Sequence, residues 1–229
     1  MGFGRALPRL PRACYRTTAR MAAIERKRPW YLILGLIAAI VFGLAGAQGG
    51  WGTATLYHEP INSSVAMQGI ANEADRAAVV ARIEAYLAAL DAARSRGWPI
   101  AVATLLLGVA TLFFAMRALG GSSSARAALV QLLVAQAGLS TVSHALLRDV
   151  NEAEMGVLEA KKIADIHEEP GLDKHRAEEM IRTTHAVVRV AAPIVLAMQL
   201  LASALIVLAL TRRRSREFFD PPAAAVRER

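Results

Sequence analysis

WYLILGLIAAIVFGLAGA at Trp30–Ala47, PIAVATLLLGVATLFFAMRAL at Pro99–Leu119, and two further apolar runs at Ala127–Leu147 and Ala191–Leu210 decide how this chain is built. Each is close to the roughly 20 residues that an α-helix needs to cross a hydrocarbon core of about 30 Å, and none contains Asp, Glu or Lys. The expectation is an all-α membrane protein with four transmembrane helices.

The polar segments between the runs give a direction. Before the first run stand Arg5, Arg9, Arg12, Arg16, Arg20 and four more basic or acidic residues of which only Glu25 is negative, and Arg117 and Arg126 flank the link between runs two and three. Arg212, Arg213, Arg214 and Arg216 follow the last run. These segments belong in the cytoplasm by the positive-inside rule. The other two loops, 48–98 and 148–190, hold 15 acids against 11 basic residues, so the net charge of +8 is unevenly divided between the two sides. Basicity of this kind reports topology and contact with anionic lipid, and it argues against nucleic acid as a partner. High Ala, Arg and Val content points to a bacterial inner membrane, with both termini cytoplasmic.

The resulting organisation is a basic tail at 1–29, a first span at 30–47, an irregular outer segment at 48–71, an amphipathic outer helix at 72–97 and a second span at 98–119. A short loop at 120–126, a third span at 127–147, an outer helical hairpin at 148–190, a fourth span at 191–211 and a cytoplasmic tail at 212–229 complete it. The N-terminal part has a second reading. An Arg-rich leader, an apolar stretch and Ala45-Gly46-Ala47 also satisfy a secretory signal peptide, and Met21 would make a natural start. The lone cysteine, Cys14, lies in the tail, so the outer loops hold no disulfide and must fold by helix packing.

Within this frame the spacing of side chains is informative. Gly35, Ala39, Gly43 and Ala47 recur every four residues, giving the first span a smooth face suited to close helix contact, either in a dimer or within the monomer's own bundle. Val79, Ile83, Tyr86 and Leu90 define the buried side of the 72–97 helix, and Gly97-Trp98-Pro99 is expected to break it before the second span. Leu146, Val150, Ala153, Val157, Ala160 and Ala164 continue past the third span as a 4-3-4-3-4 stripe, so that span should run on as one helix. It is expected to stop at Glu169-Pro170-Gly171 and return through Ala177, Ile181, Thr184 and Val188. An extracytoplasmic helical bundle with an Ala-rich seam is the product, and Ala153, Val157 and Ala160 are its packing residues.

Chemistry is harder to find. His167 and His175 flank the hairpin turn, and with Asp173 they form a candidate zinc or copper site, although a solvated charged turn accounts for the same residues. His144 sits in the outer turns of the third span beside Ser140, Thr141 and Ser143; His185 is expected near Met155, which leaves a transmembrane haem without a second axial histidine. The spans offer Gln131, Gln136, Gln199, Thr104, Thr111 and Ser203 but no mid-membrane carboxylate of the kind that ion-coupled carriers use. HExxH, GxSxG and Walker A motifs are missing, so no enzyme class is indicated. The expected role is a structural or interaction subunit that meets the bilayer and either other membrane subunits or itself through its outer helices. The alternative is a small oligomeric transporter or channel, with a pore lined by Gln131, Gln136 and Gln199.

Overall fold

The computed structural model describes residues 29–59, 72–169, 171 and 173–219, and within them every regular element is an α-helix. Helix α1 is Trp30–Leu56, α2 Glu73–Leu119, α3 Ser123–Leu146, α4 Arg148–Glu168, α5 Lys174–Thr211 and α6 Arg213–Phe219. Four are long and apolar enough to cross a membrane: α1, α2, α3 and the Val190–Thr211 part of α5. The basic tail at 1–28 and residues 60–71 of the segment expected to be irregular lie outside the described residues.

Several boundaries differ from those expected. Helix α1 does not end at Ala47 but continues through Gly49, Gly50 and Gly52 to Leu56. Glycine lowers helix propensity, yet Gly50 is held helical by what it lets in, since a Cβ there would lie 2.7 Å from Leu105 Cα of α2. The break at Gly97-Trp98-Pro99 does not occur either: α2 is one helix of 47 residues, about 70 Å at 1.5 Å per residue. Its buried stripe explains this. Leu90, Ala93, Gly97 and Ala101 run through the proline without a phase change, so the same face packs above and below it, and that continuous packing outweighs a proline cost of about 3 kcal/mol.

Asn72 starts α2 by accepting a hydrogen bond from the Ala74 N–H at 3.0 Å, and Glu73 and Asp75 complement the positive helix end. The loop expected at 120–126 is shorter. Gly121, at φ 82°, makes the turn and Ser122 caps α3, with its hydroxyl accepting from Ala125 N–H at 3.4 Å.

The third span does not run on as one unbroken helix. Leu147, at φ −109° and ψ 26°, separates α3 from α4, although Leu147 N–H still donates to Ser143 O and Asn151 N–H to Leu147 O. The one-residue distortion shifts the stripe, so Leu147 is buried where Leu146 was expected and Leu146 is exposed. From Val150 to Ala164 the remaining 3-4-3-4 part of the stripe does face inward, with Ala153, Val157 and Ala160 packed against the buried clusters. The segment 212–219 is not a loose tail: α6 turns back and buries Ser215, Phe218 and Phe219, and Arg126 lies over the Phe219 ring at 5.6 Å.

Burial falls into layers along the helices. One apolar cluster joins Leu32, Leu36, Ala115, Leu129, Leu133 and Leu210 near the α6 end. A second gathers Tyr57, Tyr86, Leu90, Leu147 and Val150, and a third joins Val79 and Ile83 of α2 to Ala164 of α4. Between the first and second layers the packing opens.

Candidate functional site: a cavity between the spans

The opening is a cavity of about 700 Å³ bounded by α1, α2, α3, the start of α4 and α5. Helix periodicity puts two kinds of wall around it. Gln136, Ser140, Ser143 and His144 are spaced four, three and one apart on α3, so they share one face, and Gln199 of α5 joins them. Opposite lie Gly46, Gly49 and Gly50 of α1 with Gly97 and Ala101 of α2. One wall carries polar side chains, and the other is built from glycines and Ala101 with Phe42 and Ile100 beside them.

Gln136 is only 2 % exposed, and its Oε1 accepts from the Thr111 hydroxyl at 3.3 Å. Its amide reaches the α1 backbone, where a Cβ on Gly46 would collide with Nε2. Gln199 Nε2 donates to Ser140 Oγ at 2.9 Å, tying α5 to α3, and Ser203 Oγ donates to the Gln199 carbonyl at 2.9 Å. Thr104 and Thr53 return their hydroxyl protons to carbonyls of their own helices. Gln131, by contrast, is exposed on the other side of α3, so the three glutamines do not share one channel within a single chain.

A second cavity of about 810 Å³ adjoins the first and shares His144, Asn151, Met155 and Ala192 with it. Arg82, Arg148, Glu152 and Glu159 line its other sides. His144 therefore stands where an uncharged cavity meets a charged one. Arg148 is held by Glu152 at 2.6 Å one turn along α4, and Glu159 pairs with His185, which places His185 a turn beyond the expected Met155 neighbourhood.

The candidate metal ligands separate. His167 Nδ1 lies 3.0 Å from each carboxylate oxygen of Asp75, at the start of α2, while Asp173 and His175 are exposed around the N-terminus of α5. Among the described residues, no group of three or more His, Cys, Asp or Glu is gathered closely enough to hold a metal ion. The His167–Asp75 contact instead ties the hairpin tip to α2. Further down, Arg96 of α2 pairs with Asp149 of α4. Glu154 lies near Tyr86 at a position still open to solvent, and partial desolvation raises its carboxyl from the ordinary value.

The small-residue face of α1 is consumed within the chain. Ala39 is fully buried, a Cβ on Gly35 would meet Ala209 Cβ of α5 at 3.0 Å, and one on Gly43 would lie 2.7 Å from Leu112 N of α2. Tyr57 fills the space beside Gly97, where any side chain would collide with its ring. The polar face of α3 could be read from residue spacing, but its facing glycines on α1 and the Asp75 partner of His167 could not, because those pairings are long-range. The chain matches no family model, no curated protein and no solved structure.

Proposed function

We infer that the chain acts as a structural or interaction subunit in a bacterial inner membrane, with both termini cytoplasmic and the polar halves of α2, α4 and α5 outside. The distribution of basic residues supports that orientation. The interaction role rests on one observation: Leu158 of α4 and Met180 and Val187 of α5 are exposed on the hairpin, away from the apolar windows where lipid would cover them. The hairpin supporting them is braced by the Arg96–Asp149 ion pair, the His167–Asp75 contact and the Val79–Ile83–Ala164 cluster, so a partner would meet a surface already ordered.

One experiment addresses both the side and the contact. In a Cys14→Ser background, Leu158→Cys is treated in spheroplasts with a membrane-impermeant maleimide that carries a photoreactive group. Labelling followed by one discrete crosslinked species, a second protein or a second copy, is the expected result. Failure to label from outside removes the orientation, and labelling without a crosslinked species removes the contact.

The second reading, a small oligomeric transporter or channel, draws on Gln136 and Gln199 facing a cavity. It requires several copies around a shared path, so a crosslinked ladder of identical copies together with solute flux in liposomes would favour it.

A further inference from the structure

The cavity holds hydrogen-bond donors that the protein does not use. Gln136 is almost fully buried, its Oε1 is engaged by Thr111, and among the described residues no group accepts from its Nε2. Ser140 Oγ accepts from Gln199 and has no acceptor for its own proton among the described residues, and the Ser143 and His144 side chains make no hydrogen bond there. No Asp, Glu, Lys or Arg lines the cavity, so whatever accepts these bonds is not selected by charge.

The opposite wall sets shape. Gly49 faces open space, with no protein atom within 4 Å of where a Cβ would stand, whereas Gly46 presses on the Gln136 amide. The open space therefore lies beside Gly49, next to the donors on α3. Gln136 and Ser140 are one helical turn apart, which places their Cβ atoms about 5–6 Å from each other. That is the scale separating two carbonyl oxygens on opposite sides of a six-membered ring. At about 700 Å³ the space also suits a small lipid-soluble molecule.

We propose that this cavity binds an uncharged, membrane-soluble ligand bearing ring carbonyls, of the quinone class, with its ring beside Gly49 and its carbonyl oxygens accepting hydrogen bonds from the Gln136 amide and the Ser140 hydroxyl. Only binding is involved. The site is independent of the hairpin surface, so either assignment can fail without the other.

The test uses the full chain in detergent micelles and two probes with the same tail, decyl-benzoquinone and decylbenzene, titrated calorimetrically. Saturable binding of the quinone at one per chain is expected, with decylbenzene weaker by about tenfold or more, the loss that one or two neutral hydrogen bonds represent. Gln136→Leu should weaken the quinone by about tenfold, since it deletes a donor while keeping the bulk. Gly49→Leu should abolish binding by filling the cavity, and because its Cβ meets open space the variant should melt like the parent even if Gln136→Leu does not fold. Gly138→Leu, on α3 but outside the cavity lining, should bind as the parent does. Equal affinity for the two probes, no saturable quinone binding, or full binding by Gly49→Leu would each overturn the assignment.

Discussion

The α1–α2 seam and the α3–α5 contact are both helix pairs at membrane depth, and they are closed in opposite ways. Along the seam backbone meets backbone: a Cβ on Gly43 would lie 2.7 Å from Leu112 N, and one on Gly108 would lie 2.7 Å from the Gly46 carbonyl carbon. Between α3 and α5 the described polar link is a single 2.9 Å hydrogen bond, Gln199 to Ser140, beside a cavity of about 700 Å³. In lipid the hydrophobic effect does not distinguish a neighbouring helix from an acyl chain, so association depends on contact area and polar links. Small residues supply the first and leave no room for a ligand. Polar residues supply the second at a few points and leave space between them.

The largest expected effect tests the seam. Gly108→Leu must push α1 away from α2 or distort both helices, because the obstructing atoms are backbone and cannot rotate aside. A loss at or above the upper end of the usual 1–3 kcal/mol for overpacking is expected, read as thermal unfolding in micelles. Gly49→Leu, three residues from Gly46 on the same α1, should change stability by less than about 0.5 kcal/mol. Similar melting temperatures for the two variants would mean that the seam is not closed by backbone contact.

The polar half carries a seam of its own, built from alanine rather than glycine. Ala164 is 1 % exposed against Val79 and Ile83, so Ala164→Leu should cost about 1–3 kcal/mol. Ala153→Leu and Ala160→Leu, at partly buried positions, should cost less than Ala164→Leu but more than Glu154→Leu. Glu154 has a further signature. Because partial desolvation raises its carboxyl, the folded chain holds that proton more tightly than the unfolded chain does, and stability should decline slightly as pH climbs from the ordinary carboxylate range through the raised value. Glu154→Leu removes that slope, and unfolding curves collected across the acidic range would show it. An unchanged slope, or equal losses for Ala164→Leu and Glu154→Leu, would count against a packed alanine seam.

Local spacing made the spans and both amphipathic stripes legible, since a run of apolar residues and a 4-3 repeat are properties of one segment. Val79, Ile83, Tyr86 and Leu90 are all buried, as their spacing implies. Misreadings arose where a local breaker met a long-range partner. Gly97 and Pro99 look like a stop, but Ala93, Gly97 and Ala101 carry one buried face through them, and Tyr57 occupies the gap beside Gly97. Leu147 shows the reverse: nothing in LLRDV marks a distortion, yet one residue there exchanges the burial of Leu146 and Leu147. His167 and His175 flank a short turn in sequence, while the carboxylate that His167 contacts, Asp75, lies 92 residues away. The cavity belongs to the same class, because its polar wall is a periodic feature of α3 and its glycine wall is contributed by other helices.

The smallest expected effect concerns the polar link itself. If Gln199 and Ser140 hold α5 to α3, Gln199→Leu and Ser140→Ala should be coupled: the double variant should lose less than the two single losses added together. The coupling should be modest, about 0.6 kcal/mol, because a polar side chain in the unfolded membrane state finds other partners and the native bond gains only the difference. Gln199→Leu alone should be the milder single change, since it leaves only a hydroxyl that its own helix can satisfy, whereas Ser140→Ala takes away the acceptor of the Gln199 amide. Steric-trap or thermal unfolding in bicelles would measure all four corners of the cycle. Strict additivity would mean that α5 is held by contacts such as Gly35 against Ala209 alone, and the contrast between a seam closed by small residues and a contact closed by a polar bond would then reduce to two versions of the first.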